Sequence, residues 1–268
     1  MITEAISPDD FTQRINFSGK LDEVGRLEIT INHMLDRLQT AFEYERRFTA
    51  NVSHELRTPL TIMKGKIEVT LNRDRSIIEY HKIFKDLEQE VYRLIRLVNG
   101  LLFLVRLEQE EVEHYWQFSL INISDLLEIL IEQFKELNLD KNIQISAKIQ
   151  PNLWIDGNAD YLTNLFLNLL DNAVKYTPSG EQIVIAIYQQ ENQFISTIKN
   201  TGNGIFVEYL SYLFERFYRV KDYSFQEITG TGLGLAIVQE IAYLNKGIIT
   251  VDSQTEGEVW TSFKLSLP

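Results

Sequence analysis

The chain has 268 residues, a net charge of −12 at pH 7, 44% hydrophobic residues and no cysteine. This composition is typical of a soluble globular protein with one large or two ordinary domains. The acidic balance argues against a nucleic-acid binder, and the lack of cysteine excludes disulfides and thiol chemistry. Because no apolar run approaches the roughly 18 residues of a membrane span and no signal-peptide pattern opens the chain, we expect it, as given, to be soluble.

Two long helices are predicted in the first 112 residues. A three- and four-residue apolar periodicity begins in LDEVGRLEITINHMLDRL (21–38) and continues without a break signal to about residue 72. A turn is predicted at 72–75, and Ser76 and Glu79 have capping-box spacing, which should begin a second helix that ends near Leu107. Such a pair predicts an antiparallel hairpin with half of its apolar surface bare, so we expect two copies to pair as a four-helix bundle.

A histidine, His54, lies in the middle of the first helix but outside its apolar stripe. That stripe consists of Phe48, Val52, Leu56, Leu60, Met63 and Ile67. Glu55 follows the histidine directly, Thr58 lies one turn on, and Pro59 would interrupt the helix at a cost of about 3 kcal/mol. An exposed imidazole beside so costly a feature suggests a functional site; the alternative is a kinked surface helix with a chance histidine.

The composition changes near residues 112–118 to a mixture of strands and helices. Five strands are predicted, at 143–149, 183–188, 194–199, 247–252 and 259–267. Helical patterns lie between them, at about 124–137, 159–175, 207–213 and 234–245. This mixture predicts an α/β sandwich of one sheet and one helical layer.

The predicted helix at 159–175 carries a face of asparagines. Asn164, Asn168 and Asn172 are four residues apart and therefore share one side of the helix, which Lys175 continues. Asparagine is a weak helix former, and solvated stripes usually consist of Glu, Lys, Gln or Arg instead. Since amides offer oxygens to a hard cation and donors to phosphates, we favour a ligand site over a solvated stripe.

Two glycine-rich stretches follow, NTGNGI at 200–205 and GTGLGL at 230–235. The first ends a predicted strand and the second opens a predicted helix, where backbone N–H groups and the helix dipole can bind a phosphate. Neither stretch is a P-loop or a dinucleotide fingerprint, so each alone is a weak signal. Between them lies LFERFYRV (213–220), whose phenylalanines could equally close the core.

These segments together resemble the motifs of the sensor histidine kinases. FTANVSHELRTPLT resembles their phospho-acceptor box, NLFLNLLDNAVKYTPSG their N box, NTGNGI and GTGLGLAIV their two glycine boxes, and LFERFYRV their F box. All five occur in the family's order, and LDEVGRL resembles the turn of a HAMP linker, which joins a membrane span to the kinase. The resemblance implies a partial HAMP-like linker at 1–40, a dimerisation and histidine phosphotransfer domain at 41–112, and a gyrase- and chaperone-type ATP-binding domain at 113–268.

The activity that the resemblance implies is that of an ATP-dependent protein-histidine kinase. It would phosphorylate itself, pass the phosphoryl group to an aspartate of a response regulator, and also be able to dephosphorylate that partner. His54 would be the phospho-acceptor, Glu55 would take up its proton, and Thr58 would orient water for dephosphorylation. The chain would act as a homodimer and would not bind nucleic acid. It would be the cytoplasmic portion of a bacterial inner-membrane sensor that is anchored through an upstream segment.

The resemblance also implies a site for ATP and Mg²⁺. Asn172 would hold Mg²⁺, with Asn168 and Lys175 near the phosphates and Tyr176 close by. The other implied nucleotide contacts lie in the glycine boxes and the F box: Asn200, Gly202, Gly204, Tyr218, Arg219, Gly230, Thr231, Gly232, Leu233, Gly234 and Leu235.

The sequence departs from the family pattern at two points. The first glycine box usually opens with an aspartate that accepts the adenine amino hydrogen, and this chain has Asn200 there; residues 221–229 lack the arginine often found after the F box. A catalytically silent dimeric signalling scaffold with a degenerate ATP site is therefore one alternative. A stand-alone ATPase of the gyrase or chaperone type is another, although it would have no use for the histidine helix.

Overall fold

The computed structural model of the chain describes residues 14–15, 23–113, 118–137, 141–220 and 230–268. Half of the predicted HAMP-like stretch (1–13 and 16–22) and the whole segment 221–229 therefore lie outside the described residues. The chain divides into two compact units between Val69 and Thr70. No described helix is both long and apolar enough to cross a membrane.

The two predicted long helices are present as α1 (Glu23–Leu71) and α2 (Ile77–Glu113). The predicted capping box starts α2: the Ser76 N–H donates to the Glu79 carboxylate at 2.9 Å, and the Glu79 N–H donates to the Ser76 hydroxyl at 3.3 Å. The Glu79 carboxylate accepts hydrogen bonds from the Ser76 N–H and from the Ser76 hydroxyl, which is also 2.9 Å away, and these two bonds hold the pKa of the carboxyl below its usual value. The helix continues to Glu113 rather than ending near Leu107.

The buried face of α2 lies outside the apolar stripe that the sequence predicts for this helix. The sequence predicts for this helix an apolar stripe of Ile83, Leu87, Val91, Leu94, Val98, Leu101 and Val105. Its three valines, Val91, Val98 and Val105, remain exposed. The most deeply buried side chains of the helix are three leucines: Leu97, Leu104 and Leu107. When a helix has two apolar faces, the residues of both faces recur at the same three- and four-residue spacing. The sequence therefore does not indicate which of the two faces packs against the rest of the same chain.

The second unit contains a five-stranded sheet in the order β2-β4-β5-β7-β6. Its strands are β2 (Gln144–Ile149), β4 (Gln182–Gln190), β5 (Gln193–Thr201), β6 (Ile248–Gln254) and β7 (Trp260–Leu267). Strands β2 and β4 are parallel, and the other neighbours are antiparallel. All five strands were predicted to within three residues at each end.

A second, two-stranded sheet was not predicted. It pairs β1 (Ser119–Asn122) with β3 (Trp154–Gly157) in antiparallel register. Each strand has only four residues, and a helix and a strand lie between them in the chain, so no local turn signals their pairing.

Helices α3 (Ile123–Leu137), α4 (Ala159–Tyr176) and α6 (Gly234–Leu244) contact β2, β5 and β6 respectively. Ile183, Ile185 and Ile187 of β4 are buried while the alternate residues stay partly exposed, as expected for a sheet covered on one face. The predicted α/β sandwich is confirmed. The fourth helix, α5 (Val207–Leu210), is a single turn, shorter than the predicted 207–213.

The register of the sheet places polar side chains at one end of its buried face. Ile198 of β5 pairs with Phe263 of β7, and both are buried. Two residues along on the same face, Asn200 pairs with Thr261. The core face of the sheet therefore becomes polar at this end, while remaining buried.

Candidate active site

A cavity of about 520 Å³ lies in the second unit among α2, α4, α6 and the polar end of the sheet. Its volume is in the range of small-molecule and cofactor sites. The cavity brings together residues from every predicted nucleotide motif: Asn168, Asn172, Lys175, Tyr176, Asn200, Gly204, Tyr218, Arg219, Gly230, Thr231, Gly232, Leu233, Gly234 and Leu235.

Gly202 is the predicted nucleotide contact that does not line this cavity. It follows the end of β5, where a Cβ atom would lie 2.6 Å from the Tyr176 carbonyl oxygen and 3.2 Å from Cδ of Pro178. The missing side chain lets the end of the strand approach the end of α4. Glycine spacing alone does not tell which glycine of the box faces a ligand and which one packs against backbone.

The asparagine face of α4 points into the cavity. The Asn158 side chain caps the helix by accepting hydrogen bonds from the N–H groups of Asp160 and Tyr161 at 3.0 and 3.2 Å. Within the face, Nδ2 of Asn168 donates to the carbonyl and side-chain oxygens of Asn164 at 2.8 and 2.7 Å. These bonds orient the Asn168 amide. Asn164, a member of the predicted face that is not among the contacts implied by the resemblance, also lines the cavity.

Lys175 and Tyr176 are the last two residues of α4. Lys175 forms an ion pair with Asp171 one turn earlier, which the i, i+4 spacing could have predicted. Burial raises the pKa of the Tyr176 phenol, and the positive charge of Arg219 partly opposes that rise. The phenol therefore stays protonated at neutral pH and can donate a hydrogen bond into the cavity.

The second glycine stretch forms the start of α6. Its N-cap, Leu233, makes no side-chain capping hydrogen bond, so the first-turn N–H groups are not taken by a cap. Gly232 has φ +69°, and its carbonyl accepts a hydrogen bond from the Phe217 N–H at 2.9 Å. A Cβ atom on Gly232 would lie 2.7, 2.8 and 3.0 Å from three backbone atoms of Phe217. We call this contact the Gly232–Phe217 clasp.

The charge of the cavity is opposite to that of the protein. Its lining includes five cationic side chains and, within the described residues, one carboxylate, Asp171. The cations are Arg93, Arg96, Arg106, Lys175 and Arg219. In a chain of net charge −12, such a concentration of positive charge favours an anionic ligand.

The three α2 arginines are the functional candidates that sequence reasoning missed. Arg93, Arg96, Gly100, Phe103 and Arg106 follow one another at three- and four-residue steps, so they share a face of α2. That periodicity was visible in the sequence but was hidden by the apolar stripe on another face of the same helix.

His54, Glu55 and Thr58 belong to the first unit, on α1. The His54 side chain is exposed, and the backbone carbonyl of His54 accepts a hydrogen bond from the Thr58 hydroxyl at 3.1 Å. Pro59 lies inside α1 and cannot give an N–H to the carbonyl of Glu55, although the helix continues through it. The exposed imidazole that the sequence predicts is thus observed.

Comparisons with known proteins match three family models to the chain. These are the HAMP domain at 2–40, the His Kinase A (phospho-acceptor) domain at 44–110, and the histidine kinase-, DNA gyrase B- and HSP90-like ATPase at 157–268. Sensor histidine kinase RppB of Synechocystis sp. is 36% identical over 215 residues, covering 80% of this chain and 47% of RppB. Sensor histidine kinase CusS of Escherichia coli is 30% identical over 246 residues, covering 92% of this chain and 50% of CusS.

A solved structure of histidine kinase ThkA in complex with the response regulator protein TrrA shares the fold, with a TM-score of 0.64 and 19% identity. The match covers 86% of this chain and 63% of ThkA. The chain spans about half the length of the curated relatives it matches.

Proposed function

Because this chain belongs to the sensor histidine kinases, we propose that it binds ATP in the cavity, transfers the γ-phosphoryl group to His54, and then passes it to an aspartate of a response regulator. One observation carries the proposal: the cavity joins the asparagine face, the uncapped start of α6 and five cations in one basic site. We also propose the domain division at 1–40, 41–112 and 113–268.

The lining residues fit a nucleotide. The second glycine stretch, from Gly230 to Leu235, leads into α6 and would bind the phosphates through its backbone N–H groups and the helix dipole. Tyr218 and Arg219 would contact the nucleotide from the other side, and Asn200 would accept the adenine amino hydrogen at the buried end. Phosphoryl transfer depends mainly on positioning and charge neutralisation, which such a site supplies.

Asn172 would hold a Mg²⁺ ion through its amide oxygen. Within the described residues no group of three or more acidic or histidine side chains could hold a metal ion. The ion would therefore take most of its ligands from phosphates and water, as Mg²⁺ commonly does in ATP-dependent enzymes. Its role there would be to neutralise the negative charge of the phosphates.

At His54, a neutral imidazole nitrogen would attack the γ-phosphorus as the bond to the β-phosphate oxygen breaks and ADP leaves. The other ring nitrogen then loses its proton, and Glu55 is the nearest carboxylate along the chain to accept it. The Thr58 hydroxyl already donates its hydrogen to the His54 carbonyl. Its oxygen lone pairs remain able to accept a hydrogen bond from the water that dephosphorylates the regulator.

Dimerisation and membrane attachment belong to the same proposal. The exposed valine stripe of α2 is the apolar face that a second copy would cover in a four-helix bundle. The response regulator is supported as partner by family membership, and ThkA is known in complex with one. The HAMP match supports placing the chain on the cytoplasmic side of a membrane-anchored sensor.

The function is tested by incubating the chain with ATP labelled at the γ-phosphate. We expect label on the protein that is lost in acid and kept in alkali, as for phosphohistidine, and that moves to a response-regulator receiver domain. ATP binding without any protein label would favour the silent scaffold. ATP hydrolysis without label would favour a stand-alone ATPase.

Asn200 gives a prediction about affinity: the unmodified chain should bind MgATP within about tenfold of its Asn200→Asp variant. Losing a charge-assisted hydrogen bond costs about 1–2 kcal/mol. Asn200 is only 4% exposed, however, so an amide avoids a carboxylate desolvation penalty of several kcal/mol. Its Nδ2 donates to the Thr201 carbonyl at 3.4 Å, which leaves the amide oxygen for adenine.

Calorimetry on the unmodified chain, Asn200→Asp and Asn200→Ala side by side measures this balance. Asn200→Ala, which removes the acceptor, should bind more weakly than either. No measurable binding by the unmodified chain, with binding restored in Asn200→Asp, would establish the silent scaffold instead.

A further inference from the structure

Helix α2 contacts the start of α6, which borders the cavity, and the first turn of α4. A Cβ atom on Gly100 would lie 3.3 Å from Cδ1 of Leu233 and 3.8 Å from Cδ1 of Ile237, so α2 approaches the start of α6 closely. The Phe103 ring packs edge-on against Tyr161 in the first turn of α4, with ring centroids 5.4 Å apart. These contacts fix which part of α2 faces the second glycine stretch.

Arg96 lies one helical turn before Gly100, and Arg93 lies nearly one turn before Arg96, on the same face. Both line the cavity. The Arg96 side chain is exposed and forms no hydrogen bond or ion pair with any described residue. The carboxylate among the described lining residues, Asp171, is already paired with Lys175. The positive charges of Arg93 and Arg96 repel one another, so an anion bound between these arginines and the start of α6 would relieve that repulsion.

We propose that Arg93 and Arg96 of α2 bind the phosphates of the nucleotide, so that the bound nucleotide holds α2 against the ATPase fold. This inference rests on the proposed nucleotide site. A guanidinium group suits the role because its fork of N–H donors matches two phosphate oxygens at once. The strength with which the nucleotide keeps α2 on the ATPase fold should depend on the number of its phosphates. Helix α2 should therefore dissociate from the ATPase fold more easily after the γ-phosphoryl group has been transferred.

The test compares the full chain with its Arg93→Gln/Arg96→Gln variant. The ligands are the Mg²⁺ complexes of AMP-PNP and ADP, with adenosine as a ligand that has no phosphate. We expect the variant to bind AMP-PNP at least tenfold more weakly than the unmodified chain does. Its affinity for ADP should fall by a smaller factor, and its affinity for adenosine should not change. AMP-PNP should also slow amide hydrogen exchange in residues 93–107 of the unmodified chain and do so much less in the variant.

Lys82→Gln/Lys85→Gln is the matched control. It removes two positive charges from exposed positions of the same helix, away from the cavity, and should bind all three ligands as the unmodified chain does. An Arg93→Lys/Arg96→Lys variant keeps the charge without the fork and should recover part of the affinity.

The outcomes separate this inference from the nucleotide-site proposal. If the unmodified chain binds no AMP-PNP, the nucleotide site is wrong and the inference falls with it. If it binds AMP-PNP and the double glutamine variant binds equally well, the site stands and the role of the arginines is wrong. An equal loss in the lysine control would mean a general charge effect and would also overturn the inference.

Discussion

Replacing His54 with glutamine is expected to abolish autophosphorylation while nucleotide affinity stays within about twofold of the unmodified chain. The glutamine amide nitrogen has no free lone pair, so it cannot attack phosphorus as a neutral imidazole does. The side chain is exposed and lies off the apolar stripe, so its replacement should leave α1 intact. Acid-labile label from γ-labelled ATP measures the first effect, and calorimetry with AMP-PNP measures the second.

His33→Gln is the matched control for this experiment. It lies on the same helix, is also exposed, and matches no motif, so it should be labelled like the unmodified chain. Acid-labile label that persists on His54→Gln would move the phospho-acceptor to another histidine. Loss of AMP-PNP binding in the same variant would mean that His54 supports the fold rather than the chemistry.

The secondary structure could be predicted where a local rule determines it. The capping box at Ser76 and Glu79 started α2 at the expected residue, because both hydrogen bonds are made within one turn. In β4 and β7 buried residues alternate with more exposed ones, and the sequence of β7 shows the same alternation of apolar and polar residues. The asparagine face of α4 was predicted because helical spacing alone places its members on one side.

Other features could not be predicted because they depend on contacts between distant segments. The pairing of β1 with β3 has no local signal, because a helix and a strand lie between them in the chain. Arg93 and Arg96 become part of the cavity only because Gly100 packs against Leu233, more than a hundred residues later in the chain. Gly202 and Gly232 have similar sequence settings, yet one packs beneath the site and the other lines it.

Gly232→Ala is expected to weaken AMP-PNP binding by roughly thirtyfold to a hundredfold. At φ +69° an L-residue costs about 1–2 kcal/mol. The added Cβ would also stand 2.7–3.0 Å from backbone atoms of Phe217, which cannot turn aside as a flexible side chain could. The hydrogen bond from the Phe217 N–H would be strained or lost, at about 1 kcal/mol. The free variant would relieve these costs by opening the clasp, so nucleotide binding, which needs the clasp closed, would have to supply about 2–3 kcal/mol, and each 1.4 kcal/mol is tenfold in affinity.

Gly65→Ala is the control for adding a methyl group where there is room, since among the described residues no atom outside its own helix lies within 4 Å of its Cβ position. It should bind AMP-PNP as the unmodified chain does. The Gly232–Phe217 clasp joins the F box to the second glycine stretch, so opening it should displace Tyr218 and Arg219 together with the start of α6. If Gly232→Ala keeps full affinity, the nucleotide is held by α4 and the sheet without help from the clasp. A strong loss in Gly232→Ala alone would show that the backbone contact between these two motifs shapes the phosphate end of the site.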